Sequence, residues 1–203
     1  MSNKASTAPP QPTNVDPLSI NLAARIRLER LSREWSIAEL AAASGVSRAM
    51  ISRIERAEAS PTAALLGRLS GALGLTVSQL LARAETDGAV PRHMRGVERI
   101  PWIDPETGYV RHALTPPGAD PEMVLIELPP EKSVGYPASS YSVMRGQSVW
   151  VMSGRLTIRE DGEDTVLDAG DSLAFDMTTL KDRTYINTSE TDVATYVVSV
   201  ARR

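Results

Sequence analysis

The side chains best suited to chemistry in this sequence lie in one short stretch, residues 47 to 56. Guanidinium groups in it can bind guanine edges or phosphate, hydroxyls can bind a base or a phosphate, and a methyl group can contact thymine. At helical spacing these side chains share one outward face, opposite Ile51 and Ile54. The face consists of Ser47, Arg48, Ala49, Ser52, Arg53 and Arg56. It indicates contact with a nucleic-acid duplex, and the alternative is a solvated basic face on an ordinary helical bundle.

Two short helices joined by a tight turn are predicted to position this face. Ser36 and Glu39 have the spacing of a capping box at the start of the first helix, and Gly45 suits its end. Ser47 is placed to cap the second helix. This arrangement is a helix-turn-helix, which offers its second helix to the DNA major groove. Ser36 is therefore counted with the outward face as a predicted DNA contact.

The segments around this motif extend the pattern. Residues 25–30, 36–56, 60–69 and 72–81 together resemble the five-helix DNA-binding domain of lambda-repressor-like, XRE-type regulators. The resemblance implies an internal salt bridge between Arg30 on the first helix and Glu55 on the recognition helix, so neither is counted as a DNA contact. The first helix is predicted over roughly residues 20–32, with Leu22, Ile26 and Leu31 facing inward.

Composition sets the limits of the whole protein. The 203 residues have room for two small domains, and the absence of cysteine excludes disulfides and thiolate metal sites. The net charge is −3, but residues 17–85 carry 9 basic and 6 acidic side chains, whereas residues 86–203 carry 12 and 18. No signal peptide or membrane-length apolar run is present, so we expect a cytoplasmic protein with no membrane partner. Residues 1–16 are predicted to be a disordered tail, 17–85 the helical domain and 86–96 a linker.

After residue 96 the apolar pattern changes from helical to alternating. Predicted strands cover residues 97–103, 109–114, 123–128, 148–152, 156–159, 165–167, 172–175, 184–187 and 194–200. Residues 149–158 and 165–175, with a hairpin glycine at Gly154, resemble a cupin barrel, and cupin sensor domains commonly follow XRE-type DNA-binding domains. The predicted fold is an all-α five-helix bundle followed by an all-β cupin barrel, or jelly roll, over residues 97–203.

The departures from the metal-binding cupin pattern are informative. Gln147 stands at the position of the usual glutamate ligand, and Arg183 stands at that of the last histidine. His93 and His112, the only histidines, match no ligand position. A metal-dependent enzyme would lack its ligands, so we predict no metal, no cofactor and no catalytic residues.

A small-molecule site is predicted in their place. If Gln147 points into the barrel, strand alternation places Arg145 on the same side and Trp150 and Met152 on the opposite face. Guanidinium, amide and phenol groups could then converge on a small anionic or zwitterionic metabolite, either amino-acid-like or a carboxylate. The predicted ligand-binding residues are Tyr141, Arg145, Gln147, Arg183 and Tyr185. The alternative is that Arg145 lies at the rim and Arg183 pairs with Asp176 or Asp182.

Taken together, the patterns predict a homodimeric transcriptional repressor. A palindromic operator is expected, because one recognition helix reads few bases and two on a two-fold axis read a palindrome. The dimer is expected to form through the barrel. Two other classes remain open: a cupin enzyme with a DNA-targeting domain, and an antitoxin-like regulator whose barrel binds a protein.

Overall fold

Five helices form the N-terminal part of the described chain. The computed structural model describes residues 17–85, 92–96 and 99–203, so the predicted tail over residues 1–16 and part of the predicted linker lie outside the described residues. The helices are α1 (Pro17–Leu31), α2 (Ile37–Ser44), α3 (Arg48–Glu55), α4 (Ala63–Ala72) and α5 (Val77–Glu85). They enclose a core whose fully buried members are Leu22, Ile26, Leu40, Ile51, Ile54, Leu66, Leu69, Leu73 and Leu80.

Polar side chains define where the helices begin. The Ser36 hydroxyl accepts from the Glu39 backbone N–H at the start of α2, and the Glu39 carboxylate accepts from the Ser36 backbone N–H, which completes the predicted capping box. Thr76 and Gln79 form a second reciprocal pair at the start of α5. Gly45, with φ 67°, ends α2 in the left-handed conformation that glycine adopts without strain. The predicted boundaries of the motif are therefore correct.

The prediction for α1 is wrong in two details. The helix begins at Pro17, earlier than expected, and Leu31 is 53% exposed instead of buried. Leu31 follows Ile26 by five positions, which is about 140° around a helix, so both cannot face the core. Glu29 and Arg30 occupy the inner face of the last turn instead.

In the described residues after α5, ten strands form two antiparallel sheets. Their bounds are β1 (Trp102–Ile103), β2 (Val110–Ala113), β3 (Glu122–Leu128), β4 (Ser133–Tyr136), β5 (Met144–Ser153), β6 (Arg155–Glu160), β7 (Glu163–Asp168), β8 (Ser172–Ala174), β9 (Arg183–Ile186) and β10 (Ala194–Arg202). One sheet has the order β1-β2-β3-β10-β5-β8 and the other β4-β9-β6-β7. The two-domain fold, helices followed by a cupin-type barrel, is as predicted.

Strand β4 is the element that the sequence pattern did not predict. It is only four residues long, contains Gly135, and is followed at once by Pro137, all of which weaken the local strand signal. It forms because Val134 and Tyr136 pair with Tyr185 and Arg183 on β9. Among the predicted strands, the one over residues 97–103 is reduced to Trp102–Ile103 in the described residues.

The helical bundle packs directly against the barrel. Helix α4 lies on β4 and on the short 3-10 helix Ala138–Tyr141, and this contact is close because glycines face the barrel. A Cβ on Gly67 would lie 2.5 Å from the Tyr136 ring, and one on Gly71 would lie 2.6 Å from the Ser139 carbonyl oxygen. The start of α5 is also tied down, since Thr76 Oγ1 donates to the buried Glu122 at 2.8 Å.

Candidate functional site

Helix α3 is held by caps, by burial and by one internal ion pair. The Ser47 hydroxyl accepts from the Met50 backbone N–H, and Ile51 and Ile54 are buried against the bundle. Arg30 donates to both carboxylate oxygens of Glu55 at 2.7 Å and to the Trp35 carbonyl oxygen at 2.7 Å. The Arg30 and Glu55 side chains are 8% and 5% exposed. This pair therefore connects α1, the start of α2 and the end of α3, which is the internal bridge that the resemblance implied.

The outward face of α3 carries unpaired positive charge. Arg48, Ala49 and Arg53 are exposed. Arg48 and Arg53 take part in none of the ion pairs formed within residues 17–85. A guanidinium in this state has all its N–H groups available for a base edge or a phosphate.

Three other predicted DNA contacts, Ser36, Ser52 and Arg56, already form side-chain hydrogen bonds within the chain. Arg56 donates to both oxygens of Glu58, at 2.7 and 2.8 Å, and its Nη1 donates to the Ser52 hydroxyl. Ser36 donates its hydroxyl proton to Glu39 at 2.7 Å, which places a carboxylate beside it. A phosphate would compete with this carboxylate for the Ser36 hydroxyl, and the contact of Ser36 with DNA stays a prediction.

Inside the barrel, Gln147 and Arg183 meet as the sequence predicted. Arg183 is 1% exposed, and its Nη1 donates to the Gln147 side-chain oxygen at 2.6 Å. Its charge is balanced by Glu160, which accepts from Arg183 Nε at 2.6 Å. Neither Asp176 nor Asp182 supplies this carboxylate, so both partners proposed for it from the sequence are wrong.

Two aromatic rings complete the surroundings of the Arg183 guanidinium. Its central carbon lies 4.4 Å from the centroid of the Tyr141 ring and 3.9 Å from that of Phe175. Cation–π contact of this kind stabilises a desolvated guanidinium. Arg183 is thus neutralised and enclosed by the protein itself.

The predicted orientation of Arg145 is wrong. Its side chain is 63% exposed, and it binds the Arg202 carbonyl oxygen at 2.7 Å and Asp120 at 3.3 Å. The cause is a β-bulge: Gly146 pairs with Ala201, but Met144 pairs with the next residue, Arg202. The extra residue shifts the alternation, so Met144 faces inward and Arg145 outward. Arg145 is not part of the barrel interior.

A cavity of about 50 Å³ lies between the barrel and the bundle. All five tyrosines of the sequence line it, among them the predicted Tyr141 and Tyr185. The tyrosines pack on one another: Tyr185 stacks on Tyr196 with ring centroids 5.9 Å apart, and meets Tyr136 edge to face at 6.2 Å. The cavity is also lined by Gln147, Ser140, Arg111, Thr76 and Val77.

Three buried hydroxyls in this cavity form no well-aligned hydrogen bond among the described residues, although two of them, on Tyr141 and Tyr185, lie close enough to interact with each other. They belong to Ser140, Tyr141 and Tyr185, which are 5%, 2% and 4% exposed. Burial raises the pKa of Tyr141 and that of Tyr185 above the ordinary value, so both hydroxyls keep their protons at neutral pH. Buried donors without a well-aligned hydrogen bond are costly, and a bound ligand or water would satisfy them.

Arg111 is the cavity residue that sequence reasoning missed. Its Nη2 donates to the Ser78 hydroxyl at 2.6 Å, and its Nη1 lies 3.4 Å from the Tyr109 hydroxyl. The only sequence signal was an arginine on an alternating strand, which usually faces solvent. The contact of α5 with Arg111 through Ser78 makes this position half-buried.

The residues at the cupin metal position do not fit a divalent metal. A neutral amide and a permanently protonated guanidinium stand there, and a guanidinium repels a cation. Among the described residues, no group of three or more His, Asp or Glu side chains is arranged to hold a metal ion.

A helix-turn-helix bundle with an exposed basic face on α3, followed by a cupin-type barrel, is the arrangement of XRE-type transcriptional regulators that carry a cupin domain, and this chain is similar to them in sequence and in fold. Residues 26–80 match the HTH_3 helix-turn-helix family. The chain is 29% identical over 157 residues to the HTH-type transcriptional regulator SutR of Escherichia coli K12, which covers 76% of this chain and 81% of that protein.

Solved structures include the same two-domain arrangement. A crystal structure of an HTH_3 family transcriptional regulator from Vibrio cholerae is similar with a TM-score of 0.74 and 23% identity, covering 93% of this chain and 99% of that one. A cupin_2 domain of an XRE family regulator from Enterobacter cloacae is similar over 47% of this chain and 97% of that one, at 20% identity and a TM-score of 0.41.

In the described part of the chain, no single helix is both long and apolar enough to cross a membrane; α4 and α5 would pass on length and composition only as a pair, across a 93° bend.

Proposed function

We propose that this regulator is a homodimeric repressor that reads a palindromic operator with α3, and that a small anionic or zwitterionic metabolite in its barrel modulates operator binding. The DNA-reading part rests on one observation, that the Arg48 and Arg53 side chains are available to a ligand. Both are exposed and unpaired within the bundle, on a helix that the buried Arg30–Glu55 pair holds in place. Rigid presentation of free guanidinium groups suits bidentate binding of guanine.

The homodimer is supported by the outer face of the barrel. Trp150 and Met152 on β5 are 50% and 48% exposed, on the face opposite the cavity. Large apolar side chains exposed side by side are typical of a protein interface. A two-fold dimer would also present two copies of α3, as a palindromic site requires.

The barrel is proposed to act without a metal and without catalysis. The support is Arg183, which stands where the cupin resemblance implies a histidine ligand and whose charge is already balanced by Glu160. Metal analysis of the purified protein tests this, and stoichiometric zinc, iron or manganese would contradict it.

The DNA-reading role is tested by operator selection from random duplexes, followed by affinity measurements on the selected site. Arg48→Ala should weaken cognate binding by about 1–3 kcal/mol and relax specificity at one base pair, because a bidentate base contact is lost. Arg155→Ala, which removes an exposed arginine of the barrel, is the matched control and should change neither the affinity for the operator nor the specificity. If Arg48→Ala leaves discrimination among operators unchanged, the proposed placement of α3 in the groove is wrong.

A further inference from the structure

The barrel cavity is closed on one side by the DNA-binding bundle itself. Thr76 and Val77, at the start of α5, line the cavity together with barrel residues. The same short segment holds the two domains together, since Thr76 donates to Glu122 and Ser78 accepts from Arg111. A molecule inside the cavity therefore contacts both domains at once.

Arg111 is the cavity cation that makes no direct ion pair among the described residues. Arg183 has Glu160, whereas Arg111 takes part in none of the ion pairs among the described residues. Its hydrogen bonds go to the neutral hydroxyls of Ser78 and Tyr109, and they use two of its five N–H donors. The carboxylate of Glu122 acts on it only through space.

The surroundings of Arg111 supply further donors. The buried residues Ser140, Tyr141 and Tyr185 line the same cavity; the Ser140 hydroxyl has no partner among the described residues, and those of the two tyrosines interact only with each other and without a well-aligned hydrogen bond. A guanidinium accompanied by neutral hydroxyl donors matches a carboxylate, whose two oxygens accept several hydrogen bonds. A cation would be repelled, and an apolar ligand would leave the hydroxyls unsatisfied.

The size of the cavity limits the ligand. About 50 Å³ exceeds the roughly 10–15 Å³ that a cavity needs to hold one water, and it is far below the roughly 300–1,000 Å³ of sites for drug-sized ligands. With the bundle docked, the matching ligand is therefore a small one. Acetate, glycolate and propionate are carboxylates of this size.

We propose that the effector is a short-chain carboxylate bound to Arg111, and that the start of α5 is the lid of its site. The regulatory meaning of this site rests on the function proposed above. An occupied cavity bridges Arg111 and α5, so the ligand stabilises the docked arrangement of bundle and barrel. It thereby limits how the two α3 helices of a dimer can be placed on DNA.

Binding is tested by calorimetry and thermal unfolding of the full-length protein with sodium acetate, glycolate or propionate at constant ionic strength. At least one carboxylate should raise the melting temperature in a concentration-dependent manner, whereas acetamide, a neutral analogue of acetate, should not. Arg111→Gln should weaken binding about tenfold or more, because a charge-assisted pair is lost. Arg155→Gln should bind like the parent protein.

Three results would overturn the site: no response to any of these carboxylates, equal binding by Arg111→Gln, or equal binding of acetamide. Tyr185→Phe keeps the charge of Arg111 and the shape of the ring while removing one hydroxyl that lacks a well-aligned hydrogen bond. It should weaken carboxylate binding severalfold, so the proposal stays testable if Arg111→Gln does not fold.

The lid is tested by distance measurement, which the absence of native cysteine makes simple. Spin labels at Ala43→Cys on α2 and Val166→Cys on β7, both exposed positions, report the placement of bundle and barrel. The carboxylate should narrow the distance distribution, and Ser78→Ala should broaden it by removing the contact between α5 and Arg111. An unchanged distance distribution with carboxylate bound would refute the lid.

Failure to select any operator would refute the proposed DNA-reading function while leaving the carboxylate site standing.

Discussion

The arginines on and directly after α3 differ in whether a carboxylate of the same chain already pairs with them. Arg48 and Arg53 have no carboxylate partner in the bundle, whereas Arg56 is held by Glu58 through two parallel hydrogen bonds. That pair is exposed, and exposed ion pairs are weak because water competes with both partners. A DNA phosphate can therefore replace Glu58, but only in competition with it.

Glu58→Gln should release Arg56 for phosphate binding. We expect tighter binding to all duplexes alike and a steeper salt dependence, by about one phosphate contact, because phosphate neutralisation carries no sequence information. Fluorescence anisotropy over a range of salt concentrations measures both quantities. Glu163→Gln makes the same charge change at an exposed site on β7 and should have a smaller effect. A change confined to the cognate operator would contradict this role.

At the scale of elements, one buried ion pair sets the position of the recognition helix. Arg30 extends from α1 to Glu55 on α3 and also to the Trp35 carbonyl oxygen before α2. The caps at Ser36 and Ser47 define where α2 and α3 begin, and this pair, together with the burial of Ile51 and Ile54, fixes how α3 lies on α1. DNA reading therefore depends on a residue that is not itself proposed to touch DNA.

Glu55→Ala should destabilise the protein by about 3–5 kcal/mol, because it leaves the buried Arg30 guanidinium without its partner. Urea unfolding measures this cost. Glu34→Ala, at an exposed position after α1, should cost far less. The double variant Arg30→Met/Glu55→Leu should recover much of the loss, since no buried charge remains. Similar costs for Glu55→Ala and Glu34→Ala would show that the pair is not a buried one in solution.

At the scale of the whole molecule, the bundle and the barrel share an interface built around backbone contact. Gly67 and Gly71 lie one helical turn apart on α4 and leave room for Tyr136 and for the Ser139 carbonyl oxygen. The same docking places α5 over the cavity. A change in how the bundle docks on the barrel would therefore also change the shape of the cavity.

Gly71→Ala should have opposite effects on the helix stability of α4 and on the docking of the two domains. Alanine favours a helix by roughly 1 kcal/mol over glycine, yet its methyl group would meet the Ser139 carbonyl oxygen at 2.6 Å. We expect faster hydrogen exchange at the α4–barrel contact and a broader label distance between Ala43→Cys and Val166→Cys. Arg68→Ala, at an exposed position of the same helix, is the control and should leave both unchanged. A tighter interface in Gly71→Ala would contradict the docking described here.

The proposed dimer is tested on the outer face of the barrel. Trp150→Glu with Met152→Glu should convert the dimer to a monomer, because charge placed in an apolar interface must be desolvated. Sedimentation measures the mass, and operator affinity should fall with it as the two recognition helices lose their link. Val166→Glu, an exposed apolar position on β7 of the other sheet, is the control. An unchanged dimer in the double variant would place the interface elsewhere.

Sequence by itself determined the elements and the class of the protein. Caps and turns act within a few residues, so Ser36, Gly45 and Ser47 marked the helix-turn-helix correctly. Strand alternation is likewise local, but the inward placement of Gln147, seven residues before Gly154, was implied by the cupin resemblance. The meeting of Gln147 with Arg183 followed from the cupin resemblance, which supplies long-range geometry that spacing alone does not.

Only the tertiary structure decided which charges occupy the cavity. A bulge between β5 and β10 turns Arg145 outward, and the pairing of β6 with β9 brings Glu160 to Arg183. Docking of α5 brings Ser78 to Arg111 and leaves that side chain half-buried. Each of these outcomes depends on which distant segment packs against the residue, and neither propensity nor periodicity carries that information.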